Sequence, residues 1–120
     1  ALLKIFDIAN KKLPNAKLLI IGKPTFPNYY KKLKNLANKN VVFKDYVYDK
    51  ELPYYYAACD LYATASLWEG FNLPAAEAQA CGKKVVAFNV CSHPEIVKNG
   101  ILIEKNNAQA FADAIVKLLR

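Results

Sequence analysis

Ser66-Leu67-Trp68-Glu69-Gly70-Phe71-Asn72-Leu73-Pro74-Ala75-Ala76-Glu77-Ala78-Gln79-Ala80-Cys81-Gly82 joins a strand to a helix through a glycine-bearing loop, and the reading of the chain turns on it. The preceding residues, 60–65, are apolar enough for a strand; Pro74 suits the first turn of a helix running to about Cys81, and Gly82 suits its stop. In a parallel sheet such a helix starts at the carboxyl edge of the strands, with the free N–H groups of its first turn facing outward. That is a prepared anion site, to which the helix dipole contributes roughly 0.3 to 1 kcal/mol, up to about 2 if partly buried. Gly70 has no Cβ to hold an anion away from the backbone. Glu77, one turn into the helix, is ill placed beside a phosphate unless it has another task. Accepting two vicinal hydroxyls, as from a ribose, is such a task, since one carboxylate can accept from both.

Working outward, short apolar runs alternate with stretches of helical period, the pattern of βα units building a parallel sheet. Five strands are expected, at 17–22, 41–44, 60–65, 84–89 and 101–104, each apolar enough for cover on both faces. Leu3, Phe6 and Leu13 mark a helix before the first strand, and Leu33, Leu36 and Ala37 one after it. Pro53 opens a helix to about Ala58, and residues 107–119 carry Phe111, Ala114, Ile115, Leu118 and Leu119 on one face. The fold class is α/β, a Rossmann-like doubly wound parallel sheet. Such sheets begin with their central strand, whereas this chain opens in a helix, so a first strand is expected to be missing. A sheet so deprived closes up or leaves an apolar gap, which would favour self-association or the addition of a foreign strand.

Glu69-Gly70-Phe71 followed by Leu73-Pro74, Glu77-Ala78, Ala80 and Gly82, then Val85-Val86-Ala87, resembles the signature of the family 4 (group 1) retaining glycosyltransferases of GT-B fold. The resemblance covers nearly the whole chain, including His93-Pro94-Glu95-Ile96-Val97 and Asn99-Gly100 before the last strand. It implies that residues 1–120 are a single fragment of the C-terminal, donor-binding half, without its N-terminal acceptor-binding domain. It further implies binding of a nucleoside diphosphate sugar and transfer of the glycosyl group to an acceptor with retention, by a full-length parent rather than by this fragment alone. Residue by residue, Glu77 would bind the ribose hydroxyls and Glu69, the catalytic candidate, the hydroxyls of the donor sugar. Gly70 and the backbone amides of Phe71, Asn72 and Leu73 would meet the sugar and diphosphate, and Tyr46 would lie near the base. No metal or other cofactor is implied, because positive side chains and the helix N-terminus balance the departing diphosphate. Two departures are visible: position 72 is Asn where the family mostly has Gly, and position 84 is Lys where Pro is usual. Asn tolerates a left-handed backbone, so the loop can keep its shape. Lys23 carries no motif matching the basic residues that bind the diphosphate in relatives.

With 54% hydrophobic and 22% charged residues the chain is of the globular class, and its apolar runs are far short of a membrane span. The net charge of +7 comes from lysines spread along helix faces, which suits solubility and attracts anions without forming a patch. No nucleic-acid recognition motif supports that use of the charge. Cys59, Cys81 and Cys91 are odd in number and form no paired motif, so neither a metal site nor a disulfide framework is expected and the setting is read as cytoplasmic, with peripheral membrane association of the parent left open. His93 is read as a loop cap or surface residue, Cys81 as a small helix hydrophobe, and Tyr54, Tyr55 and Tyr56 as pointing in different directions and so forming no stacking platform. The alternative to a donor domain is a silent Rossmann-like scaffold or binding module.

Overall fold

The structure, a computed structural model, describes residues 2–21, 27–44, 48, 50–65, 73–90 and 93–119. Helices and strands alternate throughout: α1 (Leu2–Lys12), β1 (Leu18–Ile21), α2 (Pro27–Leu36), β2 (Val41–Lys44), α3 (Leu52–Ala58), β3 (Tyr62–Thr64), α4 (Leu73–Ala80), β4 (Val85–Phe88), α5 (His93–Ile96), β5 (Gly100–Ile103) and α6 (Ala108–Leu119). All five strands pair in parallel, which obliges each to be reached by a crossover, and the helices supply it. The five expected strands and the helices opened by Pro53 and Pro74 are present within a residue or two of the expected bounds; the short α5 was not foreseen.

The strands fall into two sheets among the described residues, β1-β2 and β3-β4-β5. The common doubly wound order, 3-2-1-4-5-6, places the first strand between the second and the fourth. If β1 and β2 are taken as its second and third strands and β3 to β5 as its fourth to sixth, the break falls where that first strand would lie. Among the described residues the sheet is divided at that point.

Within the larger sheet, period-two alternation sorts side chains to opposite faces. Val86, Phe88 and Ile103 join Ile5 and Ala9 of α1 and Phe111, Ala112, Ala114, Ile115 and Val116 of α6 in one core. Val85 and Ala87 pack with Ala75 and Ala78 of α4 and Ile96 of α5 in the other. Phe88 and Phe111 meet at 4.9 Å between ring centroids, a tilted pair worth about 1 kcal/mol beyond its area. Cover on both faces thus holds for β4, buried at every position. It fails for β1 and β2, where alternate residues are exposed: Leu19 at 44% and its register partner Val42 at 50%. A two-stranded sheet severed from its neighbour keeps only one protected face.

Three local features fix the helix and strand ends. Gly82, at φ +81°, ends α4 in a left-handed turn in which its N–H donates to the Gln79 carbonyl at 2.9 Å and the Lys83 N–H to the Ala78 carbonyl at 3.0 Å. Asn107 caps α6, its Oδ1 accepting from the Ala110 N–H at 3.0 Å. Gly100 lies so close to Val85 that a Cβ there would collide with the Val85 carbonyl.

A polar knot ties α1 to the amino edge of β1 and β2. Buried Asn40 donates to Asn10 Oδ1 at 2.8 Å and accepts from Lys17 Nζ at 2.7 Å. Asn38 accepts from the Asn40 N–H and donates to Asp7, both across short bonds of 2.7 and 2.6 Å. No described helix is long and apolar enough to cross a membrane.

Candidate functional site

β3 ends at Thr64 and β4 begins at Val85, parallel to it, so α4 runs back from the carboxyl edge of the sheet toward the amino edge. Its first turn therefore stands at that edge, where doubly wound sheets bind ligands. Leu73 is its first residue; Pro74, the second, has no N–H to leave unsatisfied. The inner face of α4 is built of alanine: Ala75 and Ala78, three apart and fully buried, let the helix lie close on β4.

One side chain of α4, Gln79, ties that helix to the segment between α5 and β5. The Gln79 side-chain amide donates to the Ala75 carbonyl at 3.2 Å and the Ile96 carbonyl at 2.9 Å, and accepts from the N–H groups of Lys98 and Asn99 at 2.7 and 2.8 Å. Every donor and acceptor of that amide is satisfied. In the next crossover, between β4 and β5, His93 is fully buried and its Nδ1 bonds the Phe88 carbonyl at 2.8 Å. His93 therefore opens α5 beneath the surface, instead of standing at a loop surface as its polarity suggested; the carbonyl at the end of β4 draws it in. Cys81 lies exposed just past α4 and is not the packed hydrophobe expected.

Of the expected site residues, Glu77 is the one whose side chain is described. It is half-buried on α4, facing Tyr56 of α3. Burial foremost, then the negative charge of Glu77, pushes the Tyr56 phenol up from 10.0 to about 12; the Cys81 and Cys59 thiols and a hydrogen bond to Glu77 add to it. The phenol thus keeps its proton well above neutral pH. Tyr56 packs on the α4 core and meets Tyr62 edge-on, 6.2 Å between centroids, while Tyr54 stands 76% exposed. The three tyrosines share no platform, as successive positions on a helix require. Burial also raises the Cys59 thiol, against the pull of Lys83; its Sγ donates to the Tyr56 carbonyl at 3.1 Å, so it is no activated nucleophile. Tyr46, Glu69, Gly70, Phe71 and Asn72 lie outside the described residues, and Leu73 is described by its backbone alone. Two open clefts of about 300 and 290 Å³, beside Lys12 and Asp113 and beside Pro14 and Asp60, are lined by no residue of α4. Among the described residues no cluster of His, Cys, Asp or Glu is suited to a metal ion.

Comparison with known proteins bears on this geometry. The family described as "Glycosyl transferases group 1" matches residues 1–120. The chain is 42% identical over 76 residues to the O-antigen chain mannosyltransferase B of Escherichia coli, covering 62% of this chain and 20% of that protein. It is 35% identical over 114 residues to the D-inositol 3-phosphate glycosyltransferase of Corynebacterium glutamicum, covering 88% of this chain and 27% of that protein. Among solved structures, the Anabaena protein Alr3699/HepE in complex with UDP and glucose superposes with a TM-score of 0.85 at 28% identity, over 97% of this chain and 34% of that one. The pneumococcal O-GlcNAc transferase GtfA with UDP and GlcNAc superposes at 0.79 and 26% identity, over 98% of this chain and 25% of that one. This chain spans about a fifth to a quarter of the length of those curated relatives.

Proposed function

Because the chain belongs to the group 1 glycosyltransferases, we propose that it forms the donor side of a two-domain transferase and holds a nucleoside diphosphate sugar at the start of α4. The single observation carrying this reading is that α4 opens at the carboxyl edge of parallel strands with a half-buried Glu77 one turn inside it. The helix start offers N–H groups and a positive dipole to the diphosphate. Glu77 accepts from the two ribose hydroxyls, each such bond to a charged acceptor being worth roughly 1.5 to 3 kcal/mol. Glu69 takes the sugar hydroxyls, and the amides of Phe71, Asn72 and Leu73 take the sugar and diphosphate oxygens. Tyr46 lies near the base.

In the full-length protein the acceptor oxygen bonds to the anomeric carbon while the bond from that carbon to the diphosphate breaks. The electron pair leaves on the diphosphate, the acceptor loses its proton, and the configuration is retained, as in family 4. Charge on the leaving group is met by the helix start and nearby cations, without a metal. UDP is the first nucleotide to try, since the Anabaena and pneumococcal neighbours hold it.

Calorimetric titration of the native-length protein with UDP, GDP and ADP tests the reading. Binding of one of them is expected, weakened on the order of a hundredfold by Glu77→Ala, the loss of about 3 kcal/mol. No binding of any, or equal binding after the substitution, contradicts it.

A further inference from the structure

The lysines, spread evenly over helix faces, are not spread evenly along the chain. Residues 8–44 hold nine lysines and no carboxylate, whereas residues 45–120 hold seven basic residues and nine acidic ones. The net charge of +7 therefore resides in the end of α1 and in the lobe formed by β1, α2 and β2. Lys12 is offset by Asp113 at 3.7 Å and Lys17 donates to Asn40, but Lys31, Lys32, Lys34, Lys39 and Lys44 stand exposed. The same lobe carries Leu19, Ile21, Leu36 and Val42, four of the six large hydrophobic side chains exposed among the described residues. Three of them share one face of the sheet: Leu19 opposes Val42, and Ile21 opposes Lys44, across the parallel pair. Helix α2 lies on the other face, where Lys34 Nζ is 5.9 Å from the centroid of the Phe43 ring. Lys39 stands just before β2 and Lys44 ends it, so the apolar face is bounded by cations at both edges. We propose that this face of β1 and β2 docks on an anionic phospholipid bilayer, its aliphatic side chains entering the headgroup boundary and its lysines meeting the phosphates.

Charge selects the occupant. A second copy would bring together two lobes of the same sign, which repel. A nucleic-acid strand docks on aromatic platforms, and this face holds aliphatic side chains only. An anionic bilayer supplies both things the face lacks, phosphates for Lys39 and Lys44 and an apolar layer for Leu19, Ile21 and Val42. Lysine suits such a boundary, because its stem lies along apolar surface while its ammonium stays among the headgroups. The lysines of α2, behind the sheet, add to the attracting field. The face belongs to the two-stranded sheet and α4 packs on the three-stranded one, so this inference stands apart from the donor reading.

Co-sedimentation of the native-length protein with vesicles tests it, using phosphatidylcholine alone and phosphatidylcholine with about one third phosphatidylglycerol. Binding is expected to the anionic vesicles and not to the neutral ones, and to weaken as salt rises. Lys39→Gln and Lys44→Gln should each lower the partition coefficient about 5-fold. Leu19→Gln with Val42→Gln, which leaves the charge untouched, should lower it about 10-fold or more. Both positions are exposed, so the thermal midpoint of that double variant should hold. Four results would each overturn the proposal. The first is equal recovery with neutral vesicles, or none with either kind. The second is unchanged binding in the Leu19 and Val42 double variant, which would leave a general attraction of cations and no docking face. The third is a loss of several degrees in the midpoint of that variant, which would mean that another segment of the protein covers the face. The fourth is a concentration-dependent dimer, seen by analytical ultracentrifugation, that the same double substitution abolishes.

Discussion

Replacing Gln79 by Ala should loosen α4 more than its half-exposed position suggests. Four hydrogen bonds end on that amide, but they are not equal. The bond to Ala75 lies within α4 and duplicates what the helix already provides; the bonds to the Ile96 carbonyl and to the Lys98 and Asn99 N–H groups tie α4 to the segment between α5 and β5. Three inter-element bonds at a net of about 1 kcal/mol each give roughly 3 kcal/mol. Lys98 and Asn99 are exposed, so water recovers part of theirs. A loss of about 2 kcal/mol remains, which for a chain of this size lowers Tm by roughly 6 to 12 °C. Gln79→Glu separates the contributions: the carboxylate still accepts from Lys98 and Asn99 but faces the Ile96 carbonyl without a donor, so its loss should be no smaller than that of the single lost bond. Differential scanning calorimetry of wild type and both variants checks this. A fall in Tm under about 1 °C for Gln79→Ala would refute the clamp.

Other substitutions discriminate equally well. Gly100→Ala drives a Cβ into the Val85 carbonyl, forcing apart β4 and β5, and should cost more than about 3 kcal/mol or prevent soluble expression. Gly82→Ala meets open space and suffers only the left-handed backbone, so urea denaturation should show a loss of about 1 to 2 kcal/mol, well below that at Gly100. Asn40→Ala leaves Asn10 and Lys17 without their buried partner and should cost about 2 to 3 kcal/mol by the same assay. The Tyr56 phenol is raised in the folded state, so its stabilisation is complete below pH 10, where the unfolded phenol titrates, and is lost as pH climbs toward about 12. Tyr56→Phe should accordingly show a shallower loss of stability across that alkaline window.

Much of this arrangement is legible in residue order, because local signals and tertiary demands agree. Pro74 and Gly82 bracket α4, Val85 to Phe88 are apolar without a break, and both faces of β4 are covered. What escapes the sequence is long-range. Nothing local singles out Asn10, Asn38 and Asn40, yet they meet across some thirty positions to close the amino edge. Nothing local singles out Gln79 either, and only the folded path of 96–99 brings it three partners beyond its own helix. His93 reads as surface because nothing local announces the Phe88 carbonyl that receives it. At the site itself, Glu77 is legible from its place in the motif, whereas Tyr56 is hidden in a run of three tyrosines whose different roles depend on which one faces α4. One signal could have singled it out: its place on α3 one turn from Pro53, opposite the exposed Tyr54.

The most direct test follows the backbone amides of the isotopically labelled protein by NMR while UDP or another nucleoside diphosphate is added. A donor site at α4 predicts that the largest shifts fall on the first-turn amides, Leu73, Ala75 and Ala76, and on Glu77. Shifts confined to the opposite, amino edge around Asn10, Lys17 and Asn40, or no shifts at saturating nucleotide, would contradict it.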